Sequence, residues 1–436
     1  MKYEKIANLY KKLENTPSTL EKTKILSSFL KKLKGKKNKE IIYLLQGRAF
    51  PDYIKKDLGI SENLIQSVLK KATGASNKEI TQKWKEKGDL GLVAEELVKN
   101  KSQRTLSDKT LTSEKVLKNI QKLPKFKGKG TVDKKISIVA ELITAAKPLE
   151  ARYLVRTVLH DLRIGVGSGT IRDAITRACF ESGKEKEDKE DKKKSKKLVQ
   201  EAYDKTTDFA KVFEKACKGE KALKNMELKP GKPLKVMLFQ KANTIKEGFE
   251  TVGKPALLDY KYDGFRMLVN KDKNGEIKIF TRRLDNITKQ FPEVKEYVEE
   301  YVKGENFILD TEAVGYDPDK KEYMPFQNIS QRIKRKYNIE KMRKKLPIEV
   351  NVFDILYYNG KSKLNEPLKK RRKLIEEIVK NKEWKIRTAK ALETGNLKEA
   401  KKFYGEALKE GEEGVMMKNL NSEYKPGSRV GYGVKI

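Results

Sequence analysis

Histidine and cysteine are nearly missing from this chain: 436 residues hold one histidine, His160, and two cysteines, Cys179 and Cys217. A triad or metallohydrolase centre that needs several imidazoles is therefore excluded. Two cysteines close at most one bridge, and these lack the spacing of zinc ligands, which argues against structural zinc, a disulfide scaffold and a Cys-His nucleophile. Long apolar runs are absent too. No stretch approaches the roughly 20 apolar residues that span a bilayer. The first residues, MKYEKIANLYKKLENT, lack the apolar core of a signal peptide, so a cytoplasmic protein without a membrane partner is expected. Acidic charge is in deficit, 62 Asp and Glu against 99 Lys and Arg, for a formal net charge of +37. Such a surplus attracts polyanions, because each phosphate neutralised releases condensed counterions. Nucleic acid is the first candidate partner, although a Lys-rich composition with well-solvated helices fits the same number.

What is present suffices for cores. Hydrophobic residues make up 37% of the chain, and at roughly 100 to 200 residues per domain the length suggests two to four domains. The hydrophobic period changes along it. Up to about Phe213 it is helical: Ile6, Leu9, Tyr10 and Leu13 share one face, and Ser18 with Glu21 forms a capping box ahead of Ile25, Leu26, Phe29 and Leu30. Beyond Pro233 short alternating runs appear, such as Glu276 to Phe280 after the turn signal Asn274-Gly275, and Ile348, Val350 and Val352 before Asn359-Gly360. The break falls near Lys218 to Pro233, where Gly219, Pro230, Gly231 and Pro233 punctuate a polar stretch. Residues 184–197 (KEKEDKEDKKKSKK) contain only Ser195 as an uncharged member and read as a solvated loop or an exposed helical extension.

Three segments carry chemistry. His160 to Arg172 (HDLRIGVGSGTIR) puts Gly165, Gly167 and Gly169 at alternate positions ahead of a helix start. Such a turn lets backbone N–H groups approach a phosphate, and it also occurs as an ordinary helix-helix turn. Leu44 to Arg48 (LLQGR) has a similar, weaker character. In Asp259 to Arg266 (DYKYDGFR) a lysine stands at a strand end between aromatics, followed by a turn-forming Asp-Gly and an arginine. A nucleophilic lysine must lose its proton, and burial beside other cations favours the neutral amine. Seen alone, Lys-x-Asp-Gly is most often a hairpin turn. Later segments supply further cations, Lys418, Arg429 and Lys435, and the carboxylates of Asp310-Thr311-Glu312 and Glu413, which suit Mg²⁺ or a ribose hydroxyl.

The ordered set resembles the nucleotidyltransferase superfamily, and most closely the ATP-dependent DNA ligases of archaeal and eukaryotic type. Lys261 to Arg266 matches the nucleophile motif. Phe280 to Thr288, Phe307 to Val314, Val350 to Leu356, Glu413 to Lys418 and Arg429 to Lys435 follow in the family's order. The resemblance implies a multidomain fold, an all-α DNA-binding domain over residues 1–225 followed by an α+β adenylylation domain with antiparallel sheets over 226–436. It also implies that the family's C-terminal OB-fold domain is absent from this chain, which predicts slow self-adenylylation and poor sealing. By the same resemblance, Lys261 takes AMP from ATP. Asp259 lies beside the adenine edge and Phe353 stacks on the base. Arg266 and Arg282 contact ribose or phosphates, and Lys418, Arg429 and Lys435 complete the nucleotide site. Glu312 and Glu413 hold Mg²⁺. Arg163, Gly165, Gly167, Gly169 and Thr170 contact DNA. The implied activity seals nicks in duplex DNA through lysyl-AMP, in replication, repair and recombination, by a monomer with a sliding clamp as candidate recruiter. The competing readings are a non-catalytic or fragmentary DNA-binding protein and an RNA ligase or capping-type nucleotidyltransferase. Two positions depart from the family: Asp259, where Glu is usual, and Gly433, where many relatives carry a bulky aromatic.

Overall fold

The computed structural model describes residues 1–35, 39–100, 110–181, 189–335 and 337–436. It divides into two compact units: residues 1–203 with 208–226, and residues 227–436 with the short segment 204–207.

The first unit is helical. Its helices are α1 (Glu4–Glu14), α2 (Thr19–Lys31), α3 (Ile41–Leu45), α4 (Glu62–Thr73), α5 (Asn77–Lys87), α6 (Leu90–Lys99), α7 (Ser113–Lys122), α8 (Thr131–Thr144), α9 (Pro148–Val158), α10 (Ser168–Phe180), α11 (Lys189–Thr206), α12 (Phe209–Ala216) and α13 (Glu220–Lys224). Local signals explain many of their limits. Ile6, Leu9, Tyr10 and Leu13 are all buried on one side of α1, the three-to-four spacing of a helix with one wet face. Ser18 caps α2 by accepting the Glu21 N–H at 3.4 Å. The expected capping box is only half formed, because the Glu21 carboxylate turns outward to Lys24, one turn along the same helix. Helices α4 and α5 end at Gly74 and Gly88 in the left-handed conformation, the usual glycine stop. In the charged run, residues 189–197 form the first half of α11 with Ser195 buried among exposed neighbours. Residues 184–188 lie outside the described ones. Among the described residues no helix is long and apolar enough to cross a membrane.

The second unit is α+β. Its strands are β1 (Leu238–Lys241), β2 (Ala256–Lys261), β3 (Phe265–Lys271), β4 (Ile277–Thr281), β5 (Phe307–Asp317), β6 (Glu322–Met324), β7 (Ile348–Tyr358), β8 (Lys361–Ser362), β9 (Ile386–Thr388), β10 (Ala391–Thr394), β11 (Gly414–Asn419) and β12 (Arg429–Lys435). Between them run α14 (Ile245–Val252), α15 (Pro292–Tyr301), α16 (Phe326–Ile333), α17 (Ile339–Lys345), α18 (Leu368–Ile378) and α19 (Leu397–Lys409). One sheet has the order β1-β12-β11-β2-β10. The other has β4-β3-β5-β7-β8, with β6 on β5 and β9 on β7. Pairing is antiparallel except for β1 with β12 and β7 with β9. The turn signals sit where hairpins need them: Gly275, at φ +79°, joins β3 to β4, and Asn359-Gly360, both at positive φ, joins β7 to β8. Ile348, Val350 and Val352 of β7 are fully buried beneath α15 and α18 residues such as Val298 and Ile375. Phe249 of α14 and Phe403 of α19 cover β2 and β11 of the first sheet. A smaller cluster, including Leu268, Phe280 and Leu356 from one sheet and Val430 from the other, ties the two sheets together.

Candidate active site

The site is built where the two sheets of the second unit meet. Strand β2 is buried until its last residue, Lys261, so the chain delivers that side chain at the edge of the core. The turn Tyr262-Asp263-Gly264 then reverses into β3. Gly264 is required by space, because a Cβ there would run into the Ala313 carbonyl of β5. The turn is held from three sides. The Asp263 N–H donates to Glu412 Oε2 at 3.0 Å, Asp263 Oδ2 accepts the Phe326 N–H at 3.3 Å, and the Tyr262 hydroxyl accepts the Lys390 N–H at 2.9 Å. On the other side β11 runs antiparallel to β2 with Gly414 opposite Lys261, and the Glu413 N–H donates to the Lys261 carbonyl at 3.0 Å.

Opposed influences act on the Lys261 amine. Nζ touches the Glu413 carboxylate, which favours the ammonium form, as do Glu312, Asp263 and Glu412. Burial and the nearby Lys435 cation favour the neutral amine more strongly, and the pKa lies below the usual lysine value. The Glu413 side chain is half exposed, so water weakens its hold. Glu412 is buried, and burial pushes its carboxyl up to about 7 against the pull of the Asp263 N–H bond.

The second sheet supplies the facing wall. Cross-strand register aligns Arg266 with Glu312 and Glu312 with Asn351, so these three side chains share a face. Burial pushes the Glu312 carboxyl up to about 8, against the opposing pull of Arg266, Lys261 and Arg282. Arg282, exposed just past β4, therefore acts on the site through its charge. The Phe353 ring carries two cations, Lys418 Nζ at 4.8 Å and the Arg266 guanidinium at 5.2 Å from its centroid.

The structure does not gather every residue expected here. Asp310 is fully buried and spent on Arg266, with Nε to Oδ1 at 2.8 Å and Nη2 to Oδ2 at 2.5 Å, and on the Tyr424 hydroxyl at 2.7 Å. It is a structural partner and no candidate metal ligand. Asp259 does not present a free carboxylate to an adenine edge. It is buried between Lys418, in ion contact, and Arg372 Nη1 at 3.5 Å. Arg429 opens β12 opposite Leu238 of β1 and is exposed there; the strand bulges between it and Lys435, since Val430 and Val434 pair with the adjacent β1 residues Phe239 and Gln240. Sequence reasoning missed Glu412, Arg372 and Tyr424. The Glu412-Glu413 pair was a visible signal for the first, because neighbouring strand-end residues point to opposite sides.

Glu312 and Glu413 offer hard oxygen donors, the chemistry of a Mg²⁺ site completed by water and phosphate oxygens. Among the described residues no three acidic, His or Cys side chains are grouped to hold a metal ion.

A separate face lies in the first unit. The segments around Gly47 and Leu162 meet, and a Cβ on Gly47 would press on Leu162 at 3.2 Å. Together Leu45, Gln46 and residues 160–167 line a groove of about 440 Å³. Lys22 Nζ holds the loop from beneath through the Ile164 carbonyl at 2.8 Å. Arg163 is tied to Asp89 at 3.1 Å and to Asp161 at 2.6 Å. Gly167 and Gly169 are exposed; open space surrounds the place of a Cβ on Gly167, one on Gly169 would meet Arg172 Nη2 at 3.9 Å, and Gly167 caps α10 without a side-chain acceptor. Thr170 differs from its expected role. It is 7% exposed because, with Ile171, Ala174 and Ile175, it belongs to the inward stripe of α10, so its side chain does not reach the surface.

A strand-end lysine with a lowered pKa, with a second lysine and several carboxylates close by, has the chemistry that covalent nucleotidyl transfer requires. The chain matches the family descriptions "ATP dependent DNA ligase domain" over residues 236–436 and "DNA ligase N terminus" over residues 2–176. It is 41% identical over 437 residues to the DNA ligase of Nanoarchaeum equitans, covering 100% of this chain and 74% of that protein. It is 40% identical over 432 residues to the DNA ligase of Methanosphaera stadtmanae, covering 98% and 74%. Among solved structures it resembles Pmar-Lig_PreS3 with a TM-score of 0.50, 15% identity and coverage of 99% of this chain and 77% of that one. The chain belongs to the ATP-dependent DNA ligase family.

Proposed function

We propose that Lys261 is the nucleophile of this ligase and that nick sealing proceeds by three displacements at phosphorus. The neutral amine attacks the α-phosphate of ATP, pyrophosphate leaves, and AMP stays on Nζ as a phosphoramidate. The 5′-phosphate of a DNA nick then takes the AMP, releasing the amine. The 3′-hydroxyl across the nick attacks that activated phosphate, AMP departs and the strand is closed. In such reactions positioning and charge stabilisation carry most of the catalysis. Lys435 lies near enough to lower the Lys261 pKa and is suited to hold the α-phosphate. Lys418 reaches the same wall through the Phe353 ring, where an adenine stacks. Mg²⁺, held by Glu312 and Glu413 with phosphate oxygens, would neutralise charge on the triphosphate when bound. Residues 226–436 serve as the adenylylation domain and residues 1–225 as the DNA-binding domain. Arg163 and the backbone around Gly165, Gly167 and Gly169 meet DNA phosphates at the start of α10.

The observation that carries this reading is the placement of Lys261 at the end of β2, opposite Gly414 of β11 and with Nζ against Glu413, where burial and Lys435 favour the neutral amine. The test is intact-mass measurement after incubation with ATP and Mg²⁺. One added AMP is expected, absent in Lys261→Ala, which still binds nicked duplex. Adenylylation of the alanine variant would remove Lys261 from its role. Sealing of a labelled nick in DNA but not RNA separates this reading from an RNA ligase, and ATP rather than GTP as AMP-type donor separates it from a capping enzyme.

A further inference from the structure

The proposed reaction uses neither cysteine, yet the fold brings both together. Cys179, in the last turn of α10, and Cys217, at the C-terminal cap of α12, have Sγ atoms 3.8 Å apart. Both are free and partly exposed, so a small reagent reaches them. We propose that Cys179 and Cys217 are a reversible redox site, a dithiol that an external disulfide oxidises to one intramolecular bridge tying the C-terminal ends of α10 and α12.

The geometry needs little change. The sulfurs must close from 3.8 Å to a bond of about 2.05 Å, which side-chain rotation supplies where two helix ends already pack. No other cysteine exists in the chain to compete. The electrostatics suit attack by one member. Cys217 is pulled below the usual thiol value, first by its hydrogen-bonded pairing with Cys179 and then by the Lys39 and Lys34 cations, against burial and Glu214. Its partner Cys179 is pushed up by the same pairing and by burial. Lys39 is held near this spot, its Nζ 5.3 Å from the Phe213 ring on α12. A thiol eased toward its thiolate by neighbouring cations, beside a second thiol, is an arrangement that favours exchange.

The chemistry balances with a low-molecular-weight disulfide such as oxidised glutathione. The Cys217 thiolate attacks one of its sulfurs, a mixed disulfide forms and one glutathione thiolate leaves. Cys179 loses its proton and attacks Cys217 Sγ, and the second glutathione thiolate leaves. The protein gives up two protons and two electrons, which reduce the reagent to two thiols. The bridge spans 38 positions of chain, a loop that includes α11 and whose closure restricts the unfolded state.

The test uses the folded 436-residue chain and oxidised glutathione under non-denaturing conditions. The expected product is a monomer lighter by two hydrogens, with one cross-linked Cys179–Cys217 peptide, a raised melting midpoint for the helical unit, and full reversal by dithiothreitol. Cys179→Ser should stop at a glutathione adduct on Cys217, and Cys217→Ser should react far more slowly. Circular dichroism of both variants checks that they are folded. A wild-type chain that stops at a mixed disulfide, bridges two chains, or leaves both thiols unreacted overturns the proposal, and none of these outcomes bears on Lys261.

Discussion

Asp259 on β2 and Lys418 on β11 form a buried ion pair, 2% and 6% exposed, with Arg372 on the carboxylate's other side. The residue two positions before the proposed nucleophile thus fixes a lysine of the neighbouring strand and is not free for the base. Removing the carboxylate's charge takes the counter-charge from buried Lys418, while Arg372 keeps Glu376 at 2.9 Å. Asp259→Asn should cost about 3 kcal/mol of stability, measured by denaturant unfolding, and should weaken ATP capture by releasing Lys418. Unchanged stability would mean that water reaches this pair.

The proposed chemistry has a pH signature whose sign follows from the Lys261 environment. Below its lowered pKa the amine is protonated and inert, so the rate of self-adenylylation should rise roughly tenfold per pH unit and then level off. Lys435 is the second cause of the lowering, after burial. Lys435→Gln should raise the Lys261 pKa and move the rising limb to higher pH, with the larger loss of rate at neutral pH. Transfer of label from α-labelled ATP across a pH series checks this. A lower plateau with an unmoved limb would leave Lys435 a phosphate contact only.

How much of this was legible in advance depends on the range of the interactions involved. The Ile6, Leu9, Tyr10 and Leu13 stripe and the Asn359-Gly360 turn depend on neighbours a few positions away, so residue spacing reveals them. The place of Lys261 at the end of a strand was legible because its motif is contiguous. The alignment of Arg266, Glu312 and Asn351 was not, because it depends on pairing among three strands far apart in sequence. Nor does the spacing of Arg429 and Lys435 reveal the bulge between them, which appears only in the pairing of β12 with β1. Asp310 and Glu312 belong to one acidic segment and share a strand face, yet only the pairing with Tyr424 and Arg266 reveals which is already spent.

Glu412 holds the turn after the nucleophile through the Asp263 N–H, and that role needs an acceptor more than a charge. Glu412→Gln keeps a carbonyl oxygen in place and should retain most of the adenylylation rate. Glu412→Ala frees the turn and should slow the step about 10- to 100-fold, the usual cost of losing a supporting contact, with the KM for ATP little changed. Equal loss in both variants would point to the carboxylate's charge instead.

The glycine loop before α10 offers a test confined to the helical unit. Gly165 has φ +62°, where a side chain costs about 1–2 kcal/mol, and a Cβ there would collide with the Lys22 Nζ. Lys22 bonds the Ile164 carbonyl, so Gly165→Ala should displace the loop and its support together. Binding of nicked duplex, followed by fluorescence anisotropy, should weaken about tenfold, which corresponds to roughly 1.4 kcal/mol. Its salt dependence should become shallower, as expected when phosphate contacts are lost. Self-adenylylation without DNA should be unaffected, since that chemistry is assigned to residues of the second unit. Unaltered affinity and salt slope in a folded Gly165→Ala protein would move the DNA-gripping surface elsewhere on the helical unit.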